Sequence, residues 1–236
     1  KPDNPDAHMN LGQIYKELGQ FDNALASTLK SLDLKPENPD AHLNLGIIYK
    51  DLGQLNQALA STLKSLELKP NNPDANLNLG GIYKDLGQLD QALASTLKSL
   101  DLNPDNPDAH MNLGWIYEIK NNKEQALKHH LLSAKLIYHH NKGSSITSMI
   151  SSVTILIQLE RIKEAKEKII QISRILSKVG NDISLYKGKN KKHDQAYYRY
   201  LKALLPEIPL NSYTHLTESI HIGESHCLAF TNQMFS

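Results

Sequence analysis

The chain has 236 residues, 40% of them apolar and 22% charged, and a formal net charge of +1 at pH 7. It can therefore bury a sizeable core, and nothing in its global charge points to nucleic acid. Cys227 is the single cysteine, which excludes an intrachain disulfide and a thiolate zinc cluster, and no run approaches the roughly 18 apolar residues of a membrane span.

The first part of the chain is one unit written four times, with starts at Asn4, Asn38, Asn72 and Asn106. The second and third copies differ only at Glu37/Asn71, His42/Asn76, Ile47/Gly81, Asn56/Asp90, Glu67/Asp101 and Lys69/Asn103, so even exposed positions repeat. A period of this length marks a solenoid, in which no unit buries its own apolar face and each completes the core of its neighbour. Within the first unit Leu11, Ile14, Tyr15 and Leu18 form one helical stripe, and Phe21, Ala24, Leu25, Thr28, Leu29 and Leu32 form a second. Pro5-Asp6 opens the first helix with a residue preset for helical φ and an acid at the positive helix end; Gly19-Gln20 separates the two stripes. Each unit is thus predicted to be a helical hairpin. Gly12, Gly46, Gly80 and Gly114 sit inside the first helices, where glycine costs about 1 kcal/mol against alanine, so a close approach to Ala24, Ala58, Ala92 and Ala126 of the second helix is expected.

These residues resemble the tetratricopeptide (TPR) family. The match runs through Leu11, Gly12, Tyr15, Ala24 and Pro36; Leu45, Gly46, Tyr49, Ala58 and Pro70; Leu79, Gly80, Tyr83, Ala92 and Pro104; and Leu113, Gly114, Tyr117 and Ala126. His8, His42, Asn76 and His110 replace the family's leading aromatic, and Thr28, Thr62, Thr96 and His130 replace its second-helix aromatic. The resemblance implies an all-α, right-handed solenoid of four repeats over residues 1–138.

After the fourth unit the regularity decays. Tyr138 stands at the closing proline position and His139-His140-Asn141-Lys142-Gly143 reads as inserted. A degenerate fifth hairpin is predicted within 139–180, with Met149, Val153 and Leu156 on its first helix, Leu159-Glu160-Arg161 at the turn, and Ala165, Ile169, Ile172 and Leu176 on its second. Residues 181–217 read as a polar linker with a short helix from Gln195 to Leu205. Residues 218–236 read as the truncated start of an α/β domain, with a strand at Ser219-Ile220-His221-Ile222. The stretch running on into Gly223-Glu224-Ser225-His226 resembles the first block of SGNH/GDSL hydrolases, which would make Ser225 a nucleophile; a plain turn capped by Ser225 accounts for the same residues. No activating Asp-x-x-His follows, so catalysis is not expected within these residues. Lys1-Pro2 matches a repeat end such as Lys35-Pro36, which suggests a piece of a longer protein.

One row of candidates is Asn10, Asn44, Asn78 and Asn112, at equal positions of successive first helices. The repeats are similar to those of O-linked N-acetylglucosamine transferases, and that resemblance implies an asparagine ladder on the inner surface. A side-chain amide offers both a donor and an acceptor, and so serves an extended peptide backbone whatever its sequence. Packing within the repeats accounts for the same row. Family geometry also places Met9, Leu43, Leu77 and Met111 on the inner face, together with Gln13, Ile47, Gly81 and Trp115, and a charge row Lys16, Lys50 and Lys84 paired by sequence with Glu17, Asp51 and Asp85.

His129-His130 and His139-His140 lack accompanying ligands at regular spacing, so no metal and no cofactor is expected. The lysines at 187–192 read as a solvated linker. The reading is a non-enzymatic, cytoplasmic interaction module that takes a protein or peptide partner in its concave groove, without nucleic acid or membrane, and with open solenoid ends that offer a surface for homo-oligomers. The alternative is the substrate-recruiting arm of a larger enzyme, an SGNH-like esterase or a glycosyltransferase.

Overall fold

The computed structural model describes residues 3–140 and 145–165, with 167, 168 and 171. Among these, every regular element is helical: α1 (Pro5–Glu17), α2 (Phe21–Leu34), α3 (Pro39–Asp51), α4 (Leu55–Leu68), α5 (Pro73–Asp85), α6 (Leu89–Leu102), α7 (Pro107–Ile119), α8 (Lys123–His140) and α9 (Ser145–Gln158). One compact unit runs to Ile116 and a second begins at Tyr117. The linker and strand expected at 181–236, with Ser225, lie outside the described residues, as does the second-helix stripe at Ile169, Ile172 and Leu176.

Local chemistry cuts the chain into hairpins. The Asn4, Asn38, Asn72 and Asn106 side chains each accept from the backbone N–H groups two and three residues on, for example Asp40 N at 3.1 Å and Ala41 N at 3.3 Å from Asn38 Oδ1. This satisfies helix-start donors that otherwise have no intrahelical acceptor. At the other end the glycines act through their backbone. Gly19, Gly53 and Gly87 have φ of 73°, 73° and 75°, and the next residue's N–H reaches back to a tyrosine carbonyl, as Gln54 does to Tyr49 at 2.8 Å. That left-handed stop closes the helix. The fourth and fifth hairpins make the same stop without glycine, at Asn121 (φ 56°) and Glu160 (φ 59°). Leu159-Glu160-Arg161 is therefore a helix stop of the same form as the glycine turns.

In the first unit α1 packs on α2, α3 on α4 and α5 on α6; each second helix also contacts the next first helix, and α1, α3 and α5 touch in succession. The result is a TPR-type solenoid of helical hairpins. Gly12, Gly46 and Gly80 behave as expected. A Cβ at Gly46 would overlap Thr62 Oγ1 and stand 3.2 Å from the Ala58 carbonyl oxygen, and Gly12 and Gly80 face Thr28 and Thr96 in the same way. Ala24, Ala58 and Ala92 are fully buried at that crossing.

Burial follows position in the array. Ile48 and Ile82 are 0% exposed, whereas the equivalent Ile14 is 53% exposed. α3 and α5 are covered by the preceding hairpin, and no described helix lies on that side of α1. The missing leading aromatic has a polar substitute. His42 Nε2 donates to the Pro36 carbonyl at 2.8 Å and His110 Nε2 to that of Pro104 at 3.2 Å, while Asn76 Nδ2 donates to the Asn72 carbonyl at 2.8 Å.

In the second unit α8 runs without a break through His139 and His140, so the residues that read as inserted begin as a continuation of that helix. α8 packs on α9. Val153, Ile155 and Leu156 of α9 are buried, and Ser133 of α8 shares a hydroxyl hydrogen bond of 2.9 Å with Ser148 of α9.

Candidate functional site

The contacts that cross from one repeat to the next define a surface built from the first helices. Lys50, on α3, lies against α5: its Nζ is 4.0 Å from Asp85 Oδ2 and would be 2.9 Å from a Cβ at Gly81. Lys84, one repeat on, has its Nζ 4.6 Å from the ring centroid of Trp115 on α7 and 3.6 Å from Asp85 Oδ1. Residues at equal positions of successive repeats therefore stand side by side, with each lysine reaching over the next repeat. The sequence pairing of Lys50 with its neighbour Asp51 gives way to Asp85, because the lysine stem lies along the groove between helices rather than along its own helix.

Lys84 is the most enclosed of these charges, its side chain 19% exposed. Burial pulls its ammonium below the ordinary lysine value; Asp85 opposes that pull, and Lys50 adds to it. The indole face of Trp115 gives a partly desolvated ammonium a favourable seat.

The asparagine row divides by environment. Asn78 Nδ2 donates to Thr62 Oγ1 at 2.9 Å, and Asn112 Nδ2 to Thr96 Oγ1 at 3.2 Å, each across a joint between repeats. Thr96 Oγ1 in turn donates a hydrogen bond to the Ala92 carbonyl at 2.8 Å. Asn112 is 6% exposed and Asn44 and Asn78 are half-buried, whereas Asn10 is exposed. One of the two amide N–H groups of Asn78 and of Asn112 is thus committed to holding repeats together. The periodic threonine supplied the signal: it stands sixteen residues before each asparagine, |i−j| = 16.

The apolar row also divides. Leu43 is buried, and Met9 Sδ accepts from Asn38 Nδ2 at 3.9 Å across a joint between repeats. Leu77, Met111, Ile47 and Trp115 are half-buried, Gln13 is exposed and Gly81 is buried. Lys16 is half-buried on α1.

The fourth repeat is built differently. Glu118 stands at the position of the lysine row and His130 at that of the threonine row, and His130 Nε2 is hydrogen-bonded to Glu118 Oε1. His130 is fully buried, and His129 stacks on Tyr117 with ring centroids 5.6 Å apart. Among the described residues there is no group of three or more His, Cys, Asp or Glu side chains that would hold a metal ion, and no helix long and apolar enough to cross a membrane.

Residues 12–53, 47–87 and 80–119 match the family model described as TPR repeat, and these stretches carry TPR repeats. Comparison with curated protein sequences finds no match. Among solved structures the chain is similar to a thermophilic TPR protein of Thermus thermophilus, with 19% identity and a TM-score of 0.65 over 84% of this chain and 99% of that one. It is similar to pilF of Pseudomonas aeruginosa, with 16% identity and a TM-score of 0.69 over 97% and 91%. It is also similar to a chain of the APC/C hetero-tetramer Cut9-Hcn1, with 18% identity and a TM-score of 0.75 over 98% of this chain and 42% of that chain. At these identities the likeness is one of fold.

Proposed function

We propose that the chain is a non-catalytic scaffold segment that docks an extended segment of a partner protein along the face built from α1, α3, α5 and α7. One observation carries this reading: equivalent side chains of successive repeats lie next to one another on that face, as the reach of Lys50 to Gly81 and Asp85 and of Lys84 to Trp115 requires. A row repeated in space suits a ligand that is itself repetitive, and a peptide backbone is such a ligand. Ile47, Leu77, Met111 and Trp115 supply adaptable apolar contact, and the asparagine carbonyls supply acceptors for backbone N–H groups. Asn78 and Asn112 each spend one of two amide N–H groups on Thr62 and Thr96, so the ladder has fewer donors than acceptors to offer a peptide. The resemblance to O-linked N-acetylglucosamine transferase repeats points the same way. The esterase alternative rests on Ser225, outside the described residues.

The test is selection of random peptides displayed on phage, with the whole chain as bait, followed by titration of the synthesised winners. Enriched peptides should bind the native chain and weaken by about tenfold or more, the worth of one lost anchor, in the double variant Ile47→Ser, Trp115→Ala, while Lys64→Ala on α4 has no effect. Peptides that bind the double variant as well as the native chain would place the docking surface elsewhere.

A further inference from the structure

Gly81 is the one member of the row Gln13, Ile47, Gly81, Trp115 without a side chain, and it is one of six differences between two otherwise matching repeats. Its neighbour Gly80 is required by packing, since a Cβ there would overlap Thr96 Oγ1 and sit 3.2 Å from the Ala92 carbonyl. Gly81 has no such reason. A Cβ at Gly81 would meet only the end of Lys50, Nζ at 2.9 Å and Cε at 3.4 Å. A second consecutive glycine inside α5 costs about 1 kcal/mol of helix stability. What the bare position permits is the path of Lys50, which lies flat across α5 and brings its ammonium to Asp85, where Lys84 arrives from the other side at 3.6 Å. Two ammonium groups converge on one carboxylate, beside an indole. The arrangement is costly for the free protein: Lys84 is partly desolvated, and the nearby Lys50 pulls its proton affinity down further. Excess positive charge, partly buried and held by a helix-weakening residue, marks a place that an anion completes.

We propose that the bare stretch of α5 at Gly81, between Lys50 and Lys84 and beside Trp115, is a subsite for an aspartate or glutamate side chain of the docked segment, so that the partner is an acidic peptide. The inference rests on the docking reading above and adds the chemistry of the partner. A carboxylate between Nζ of Lys50 and Nζ of Lys84 balances the second ammonium, which Asp85 alone leaves over, and replaces part of the hydration that Lys84 has lost. The peptide's neighbouring backbone passes over Gly81, where no side chain blocks it.

Trp115 is the only tryptophan of the chain, so its fluorescence reports on this subsite alone. The probes are two capped peptides, Gly-Ser-Glu and Gly-Ser-Gln, each repeated in tandem to the same length, titrated into the whole chain at low ionic strength. The glutamate peptide should shift Trp115 emission and bind about tenfold more tightly than the glutamine peptide, the worth of one charge-assisted contact. Lys50→Met and Lys84→Met should each bring it to the glutamine level with far-UV circular dichroism unchanged. Gly81→Ile, which restores the residue of the preceding repeat, should weaken it comparably. Equal affinity for both peptides overturns the subsite while leaving peptide docking intact. So does tighter glutamate binding that persists in Lys84→Met or leaves Trp115 emission unmoved. Binding of neither peptide also overturns it; whether phage-selected peptides still bind then decides whether the docking reading falls with it.

Discussion

Asn78 donates its side-chain amide to the Thr62 hydroxyl at 2.9 Å, joining the first helix of the third repeat to the second helix of the one before. Thr62 is fully buried, and its oxygen faces the bare side of Gly46. The same triple recurs at Gly80, Thr96 and Asn112. In the first repeat Thr28 Oγ1 is buried with no hydrogen-bond partner. A residue type that reads as a peptide-binding row is thus also the polar pin of the repeat joint.

Asn78→Ala should cost about 1–3 kcal/mol, because it strands a buried hydroxyl, whereas Asn10→Ala, on an exposed position, should stay within about 0.5 kcal/mol. Thr62→Val should destabilise and Thr28→Val should be neutral or stabilising, since only Thr62 has a hydrogen bond to lose. Chemical unfolding followed by far-UV circular dichroism checks all four, and similar losses for Asn10→Ala and Asn78→Ala would refute the pin.

Adjacent glycines of α5 should respond with opposite sign. Gly81→Ala meets only the mobile end of Lys50 and should gain up to about 1 kcal/mol from helix propensity. Gly80→Ala drives a methyl group into Thr96 and the α6 backbone, and overpacking of about 1–3 kcal/mol should outweigh the same gain. Thermal midpoints of the two variants, measured side by side, decide the matter.

Lys84 gives the stability a pH dependence. Its folded value lies below the ordinary 10.5, so between the two values the unfolded chain holds the proton that the folded chain has released. Stability should therefore rise with pH across that window, which lies below 10.5. In Lys84→Met that local rise should disappear from the curve of unfolding midpoint against pH; a rise of unchanged size would assign it to other groups.

Glu160 holds a φ of 59° at the stop that follows α9. A non-glycine residue in the left-handed region carries a strain of order 1–3 kcal/mol, which glycine removes. Glu160→Gly should therefore raise the melting temperature, as the use of Gly19, Gly53 and Gly87 at the same place in the first three hairpins suggests. A fall would mean that the glutamate side chain contributes more than its backbone costs.

The sequence alone determined the hairpins. A repeat of fixed length, a first-turn proline, a mid-helix glycine and a Gly-Gln break are local devices, and each acts within a few residues of where it is written, so the hairpins from Pro5 to Leu102 could be read directly. The asparagine caps and the left-handed form of the stops emerged in the structure. Only the tertiary structure decided what the repeated polar residues do, because those contacts cross between repeats. The reach of Lys50 past Asp51 to Asp85, the seating of Lys84 over Trp115 and the division of the asparagine row into exposed Asn10 and pinned Asn78 all depend on the offset between stacked hairpins. Periodicity fixes which residues share a row, but only packing fixes which neighbour each one touches.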